Sequence, residues 1–542
     1  MTVPGQHPPV LVVGAGPTGL AAACALLQGG VSCRVVERRA GVAEEPKALI
    51  LWSGALEVLR RLGVADRVVE QSLPLASASY FSGGRKIGGV RFGGLANTAF
   101  PGPVCLPQPG TEQALYDRLL ELGGSVEWST RVHSVEPAGA GTRVVLGPAD
   151  DPDVREEVAV PWVVAADGSR SAVRESLGVA FEGDTYDRTF LLSDGVVSGP
   201  APEREAQYHL TPDGVLVIVP LPGGGHRVFF DIASDGRTDP PDDALLARLL
   251  AERGPAGLRI ESVWWRSRFR VHARVAREFR RGRVLIAGDA AHLHSPAGGQ
   301  GLNTGIQDGF DLGWKLAAVL RGAPEPLLDS YPLERRPTAQ AVVRSADQQT
   351  RTWMTRAPLA RLVRDNLMRL LSASGLLEKR LVPQLAQISP DLSASPAVTA
   401  PPPGWRARDA VGGALPGTRI GDAELVPLVG ARARSLHAYL ASGRHALLVG
   451  GSSERTSRAA ARLRECVPDD VDVLLLTGAE GPAREGGGHD TARPAGPVRG
   501  EWVVHVRPDA VVAAVADLSD PAWRAEDFVG AASLPGAQRS LT

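Results

Sequence analysis

Residues 9–39 read PVLVVGAGPTGLAAACALLQGGVSCRVVERR, and no other stretch restricts the fold as much. A short apolar run, Val10–Val13, breaks into Gly14-Ala15-Gly16-Pro17-Thr18-Gly19. An alanine-rich, helix-favouring segment follows to Leu27, then Gly29-Gly30, then a second apolar run ending at Glu37. Strand, glycine turn, helix, strand and acid in that order predict a βαβ unit built to hold a dinucleotide. Gly14 permits the tight turn, Gly16 keeps side-chain atoms away from a pyrophosphate, and Gly19 lets the helix lie close to the sheet. Free N–H groups at the helix start, around Pro17 and Thr18, favour an anion. Glu37, 18 residues beyond Gly19, is spaced to accept ribose hydroxyls, and Arg38 beside it to cover the adenine. An acid here disfavours a 2′-phosphate, so FAD or NAD fits better than NADP. A glycine turn in an ordinary α/β unit is the alternative, and the flanking strand, helix and acid argue against it.

The chain has 542 residues, enough for two or three domains. Its 59 basic and 60 acidic residues give no overall field that would favour nucleic acid or an anionic membrane. Cys24, Cys33, Cys105 and Cys466 are scattered, with no CxxC pair and no Cys/His cluster, so neither a disulfide framework nor a metal site is expected. No signal peptide is expected from MTVPGQHPPV and no span from any 18-residue apolar window, which leaves a cytoplasmic protein, monomeric or homodimeric, as the expectation.

Two further turns share the logic of the first. Trp162–Ala166 is an apolar strand running into Asp167-Gly168, with Ser171 available to cap the helix that follows. Arg283–Ala287 is another, ending in Gly288-Asp289; Pro296-Ala297-Gly298-Gly299-Gln300-Gly301-Leu302-Asn303 then opens a helix running to Leu320. An acid at the carboxyl end of a central strand is where open α/β sheets bind ligands. Asp289 is placed to hold a ribityl hydroxyl, and the N–H groups of Gly301–Asn303 to stabilise negative charge on a flavin ring. His292 and His294 read as loop histidines in a helix-capping role. Thr111 reads as the cap of a helix over 112–122.

Between these turns the composition changes. Residues 77–100 and 184–278 are β-rich and joined by Pro/Gly turns, which predicts an inserted antiparallel sheet able to wall a flat organic ligand. Its aromatic residues Phe81, Phe92, Tyr208, Phe229 and Trp264 are the candidate lining. The helices of 341–385 read as structural, and the proline-rich 389–404 as a linker. The expected domains are therefore 1–76, 104–183 and 279–400 for the cofactor; 77–103 and 184–278 for the substrate; and 401–542 as a third, βαβ-plus-ββα unit, thioredoxin-like but lacking CxxC.

Three such turns between residues 14 and 305 resemble those of the class A flavoprotein aromatic hydroxylases, which share the para-hydroxybenzoate hydroxylase fold. Within that family the chain is similar to the subgroup that oxygenates aromatic polyketides and rifamycin-like antibiotics. The carriers are GAGPTG at 14–19 with Glu37, ADGSRSAVR at 166–174 and GDAAH…PAGGQGLNTG at 288–305. The resemblance implies an α/β FAD-binding domain, an inserted sheet domain and a redox-inactive thioredoxin-like tail. It implies that Gln108 contacts FAD, that the backbone at Val132 meets the adenine, that Asp167 serves both FAD and the reductant, and that Pro296 lines the flavin's reacting face. Lys47 stands where many relatives carry Arg; it and Pro296 are the candidates nearest the chemistry, which the cofactor itself carries out. NADPH or NADH is implied as a transient reductant. O2 then adds at flavin C4a and passes one oxygen to a small aromatic substrate. Baeyer–Villiger or epoxidising chemistry, and a non-catalytic binding protein on the same fold, are the alternatives.

A lone cysteine cannot perform dithiol exchange. Cys466→Ser is expected to leave the turnover number unchanged in a steady-state assay; an altered kcat would place the tail in the electron path.

Overall fold

The computed structural model describes residues 8–531 apart from 152, 429, 432, 478–489, 496 and 497. Three hydrophobic runs, Val10–Val13, Trp162–Ala165 and Val284–Ile286, are buried throughout, as central parallel strands covered on both faces must be. They are neighbours in a six-stranded sheet ordered 280–281, 284–286, 162–165, 10–13, 33–36, 126–127, parallel except at the 280–281 edge. Consequently all three glycine–acid turns leave the same end of the same sheet.

Helix Pro17–Gln28 leaves the first turn with proline at its start, a position that has no use for an N–H. It packs on the long helix Gly301–Leu320. The contact has no room for side chains. A Cβ at Gly305 would lie 2.5 Å from Thr18 Oγ1, one at Gly309 2.2 Å from the Thr18 carbonyl oxygen, and one at Gly313 2.7 Å from Ala25 Cβ. These glycines recur every four residues, so they form one stripe on the helix. The sequence-expected helix at 112–122 begins earlier, at Gln108, after Pro107; Thr111 is buried inside it and does not cap it.

The second sheet has eight strands, ordered 292–293, 259–276, 181–198, 226–233, 214–220, 205–211, 77–82, 85–91. An antiparallel sheet is expected from sequence; the pair Glu205–Thr211 with Ser77–Ser82 is parallel, because the strands come from separate excursions of the chain. The expected start of this region at 184 is also late, since Phe181–Ser198 is one 18-residue strand.

The C-terminal sheet is ordered 425–427, 490–494, 471–476, 445–450, 502–506, 512–517, with helix Glu454–Cys466 packed on one face. The proline-rich segment expected to be a linker is instead docked. Thr399 N donates to Ala513 O at 2.7 Å, and Ser395 is buried with its hydroxyl on Glu334.

Beneath it lies a buried charge cluster. Arg507 grips Glu334 through both terminal nitrogens at 2.7 and 2.9 Å, and Lys315 Nζ reaches Glu334 at 2.6 Å and Asp311 at 2.9 Å. Burial pushes the Glu334 carboxyl up, but Arg507 and Lys315 outweigh it and hold the group well below its ordinary 4.5. A depressed folded-state pKa contributes stability above the unfolded value and loses it as pH falls. Glu334→Gln removes the buried carboxylate that Lys315 and Arg507 share, leaving them Asp311 and Asp509, and is expected to cost about 3–5 kcal/mol at pH 7. The wild type is expected to lose stability as pH falls below about 4.5, and the variant to lose less, in thermal melts across pH. Equal melting temperatures at pH 7 would contradict the assignment.

Candidate functional site

The three turns touch. Gly14, at φ +103°, passes so close to the second turn that a Cβ would sit 2.3 Å from the Ala166 carbonyl oxygen. A Cβ on Gly19 would lie 1.9 Å from the Gly14 carbonyl oxygen. Gly288, at φ +60°, abuts Thr18, whose Oγ1 would be 2.4 Å from a Cβ there. Backbone bonds finish the junction: Gly14 N to Val36 O at 2.8 Å, Ala166 N to Val13 O at 2.8 Å and Ala287 N to Ala165 O at 2.9 Å. Gly16 and Gly168 differ from their neighbours, because a Cβ on either meets nothing within 4 Å. Those two glycines face open space, as residues lining a cofactor slot would.

Glu37 is buried at the end of its strand and accepts from Ala15 N at 2.8 Å, fixing the glycine turn. Burial raises its pKa, but Arg39 and the Ala15 N–H prevail and keep it ionised below the usual range. The arginine that pairs with it is Arg39, which also reaches buried Glu112 at 2.8 Å; Arg38, the sequence candidate, is exposed and makes no such pair. Arg38 and Arg39 lie in the bend after the strand, and it is Arg39 that turns toward Glu37 and Glu112.

Asp167 Oδ2 caps Val173 N at 3.1 Å, while its Oδ1 is buried without a partner. Burial raises this carboxyl against the pull of Ser171 and Val173. Ser171 caps its helix as expected, accepting from Arg174 N at 2.9 Å. Asp289 is exposed between buried Gly288 and Ala290, and its carboxylate accepts no hydrogen bond from any described residue. The surrounding walls push its pKa up, with His292 and Lys47 pulling it back. An orphaned Asp167 oxygen, an unengaged Asp289 and two bare glycines fit the phosphates and hydroxyls of a dinucleotide.

The flavin end is tied by Asn303. Its Oδ1 accepts Trp52 N at 2.7 Å, and its Nδ2 donates to Ile50 O at 2.8 Å and Gly299 O at 2.7 Å. Both N–H donors of this side chain are thus used in joining the 50–52 loop to the 298–299 turn; what remains for an anion is backbone. The first rung of the long helix is Thr304 N to Gln300 O at 2.9 Å, so the N–H groups of Gly301, Leu302 and Asn303 precede its ladder. Gly299, at φ +62°, lies against Ile50, and Pro296 is exposed at the turn's outer side. His292 does not cap a helix: its Nε2 meets Asp308 at 2.6 Å, and Arg335 secures the other carboxylate oxygen. His294 donates Nδ1–H to Ser295 O at 2.7 Å, and burial drops its pKa to about 4.

Gln108 stands at its helix start, its Oε1 3.4 Å from Ala48 N. Val132 is buried in the three-stranded sheet, opposite Leu146. Lys47 is 65% exposed, with Nζ 3.1 Å from Glu45. The group missed from sequence is Arg227, which grips Asp194 at 2.7 and 2.8 Å and donates to the carbonyls of Lys47, at 2.7 Å, and Pro46. It clamps the 46–47 loop from the eight-stranded sheet. Its partners lie 33 and 180 residues away in the chain, so no local pattern marks it.

Beside Trp52 lies a small pocket lined by Ile50, Tyr80, Phe92, Tyr208, Gln349 and Leu385 among others. Two of the five candidate aromatics, Phe92 and Tyr208, line it. Phe81 stacks on His209 at 4.8 Å and Phe229 on Phe190 at 5.2 Å, and neither reaches it. Trp264 is 57% exposed: it is the extra residue of a bulge between Val263 and Trp265, and Trp265 faces inward under Arg227. Gln349 and Leu385 come from helices that the sequence marks as merely structural.

Fold and cleft define an FAD-binding protein of the aromatic-hydroxylase type. Residues 7–346 match the family described as FAD binding domain, and the chain belongs to it. 6-Methylpretetramide 4-monooxygenase of Streptomyces rimosus is 33% identical over 520 residues, spanning 94% of this chain and 90% of its own. Among solved structures, OxyS anhydrotetracycline hydroxylase from Streptomyces rimosus aligns with a TM-score of 0.76 at 27% identity, covering 98% of this chain and 99% of its own. Aklavinone-11 hydroxylase, solved with FAD and aklavinone, gives 0.74 at 26% identity over 97% and 99%. The protein is a flavin-dependent oxidoreductase with FAD as its cofactor.

Asp289→Ala removes an acceptor that the protein itself does not use, so folding is expected to be unaffected and FAD binding to weaken by about 1–3 kcal/mol, roughly 5- to 150-fold in Kd. Titration of FAD fluorescence checks this; unchanged affinity would count against the placing of the third turn.

Proposed function

We propose that this enzyme hydroxylates a polycyclic phenolic compound of the aromatic-polyketide type, with NADPH or NADH as reductant and O2 as oxidant. The observation that carries this reading is the position of the aromatic pocket. Ile50, Trp52 and Gly298 form its wall, and Asn303 ties these same segments to the start of the long helix. Bound FAD supplies the redox chemistry that activates O2. Gly14, Gly16, Gly19 and Glu37 would hold its adenosine and pyrophosphate end; Asp167, Gly168 and Asp289 the middle; Gly299, Gly301 and the Leu302 and Asn303 N–H groups the ring.

The chain's own contribution is to bind, orient and exclude water. Tyr208 stacks on Tyr80 at 4.9 Å and packs on Trp353 at 5.0 Å, giving flat apolar walls. Burial pushes the Tyr208 phenol up to about 12 and Tyr80 higher still, so both stay neutral. Among the described residues no carboxylate, imidazole or ammonium lines the pocket, and Gln349 is the one amide that does. A pocket without a base suits a substrate already rich in electrons, such as a phenol, with Gln349 orienting a hydroxyl. Lys47, held through its backbone by Arg227, stands at the cleft rim. We read the tail as a structural unit and the protein as cytoplasmic; no described helix is long and apolar enough to cross a membrane.

The test is product analysis with FAD, reductant and a panel of aromatic polyketides. Gain of one oxygen with the ring intact is expected; a lactone or opened ring would replace hydroxylation by Baeyer–Villiger insertion. Ala206→Phe, which fills the pocket, is expected to keep FAD affinity and lose substrate-stimulated reductant oxidation at least about tenfold. Undiminished stimulation would move the substrate elsewhere.

A further inference from the structure

A second cavity, of about 130 Å³, opens where the C-terminal sheet meets the far part of the long helix. Trp314, Leu327, Pro324, Pro326, Pro396 and Ala397 give it apolar walls. His445, His505 and Arg507 close it from the tail. Trp314 lies 13 residues along the helix from Gly301, about 20 Å at 1.5 Å per residue, so this is not an extension of the catalytic pocket.

Two polar atoms here have no partner. Trp314 Nε1 and His505 Nδ1 are buried and unbonded, on side chains that are 6% and 1% exposed. Such orphans are rare, because each forfeits a hydrogen bond with water. His505 Nε2 and His445 Nδ1 meet at 3.0 Å with rings stacked at 5.2 Å, and His445 stands edge-on to Trp314 at 5.5 Å. Burial keeps both imidazoles uncharged, and Arg507 is spent on Glu334 and Asp509 while it covers the indole at 5.2 Å. No positive charge is left over for an anion. The walls are flat and apolar, the indole N–H needs an acceptor, and the neutral imidazole needs a partner.

We propose that this junction is a second, non-catalytic binding site for an uncharged, flat aromatic molecule that offers a phenol or quinone oxygen to Trp314 Nε1 and His505 Nδ1. It lies between the parts of the chain that the Glu334–Arg507 pair joins, so an occupant would touch both. The inference does not rest on the hydroxylase reading: a protein that bound no FAD would sink that reading and leave this one standing.

The probe is 1,8-dihydroxyanthraquinone, measured by equilibrium dialysis against FAD-loaded protein. Ala397→Trp, which fills the cavity from its half-buried rim, is expected to remove one bound equivalent while FAD content and melting temperature hold. His505→Phe is expected to weaken that equivalent about fivefold, the loss of one hydrogen bond. A crystal soaked with the same probe is expected to show density between Trp314 and His505. Unchanged stoichiometry in Ala397→Trp, or density confined to the pocket beside Trp52, would overturn the proposal.

Discussion

The structure depends on one close contact, the crossing of helices 17–28 and 301–320. Gly305, Gly309 and Gly313 face Thr18, Ala22 and Ala25 with backbone nearly on backbone. Each glycine inside a helix costs roughly 1 kcal/mol relative to alanine. What the approach achieves is placement: it sets Gly288 against Thr18, and so brings the third turn to the first two. Residues nearly 300 positions apart thereby form one cleft. Larger side chains on that stripe would separate the turns before they disturbed any motif.

Around this contact, polar ties fix the loops of the cleft. Asn303 uses all three of its bonds on the 50–52 loop and the 299 turn. Arg227 and Asp194 reach across from the eight-stranded sheet to the 46–47 carbonyls. The loop that bears Lys47 is therefore held at both ends, by the long helix and by the eight-stranded sheet. That arrangement lets sheet and cleft act on one small volume. The tail is likewise locked through Glu334, Arg507 and Arg419, the last 3.2 Å from buried Glu57.

The parts legible in the sequence were those set by local chemistry. A buried strand ending in glycine and acid is visible because strand, turn and helix start all fall within about 18 residues of chain, and all three such turns lie together. Ser171 was legible as a cap for the same reason. What was hidden depended on neighbours distant in the chain. Trp264 and Trp265 are indistinguishable by composition, and a bulge decides which is inside. Arg38 and Arg39 are neighbours in a bend after the strand, and Glu112, 73 residues from Arg39, selects the second. The parallel pairing of 77–82 and the docking of 389–404 are set by long-range topology. The aromatic wall draws on four separate stretches of chain, so only Phe92 and Tyr208 of the named five reach it.

If the three turns surround one dinucleotide, Gly16 lies where its pyrophosphate must pass. It has φ −76° and ψ 178°, a conformation open to any residue, and an added Cβ would meet nothing within 4 Å. Gly16→Val should therefore fold and melt as the parent does while filling the place of the pyrophosphate. Equilibrium titration with FAD is the measurement. An unchanged apoprotein melting temperature and at least about a hundredfold loss of FAD affinity, some 2.7 kcal/mol or more, are expected. Parental FAD affinity in that variant would contradict a dinucleotide shared by the three turns.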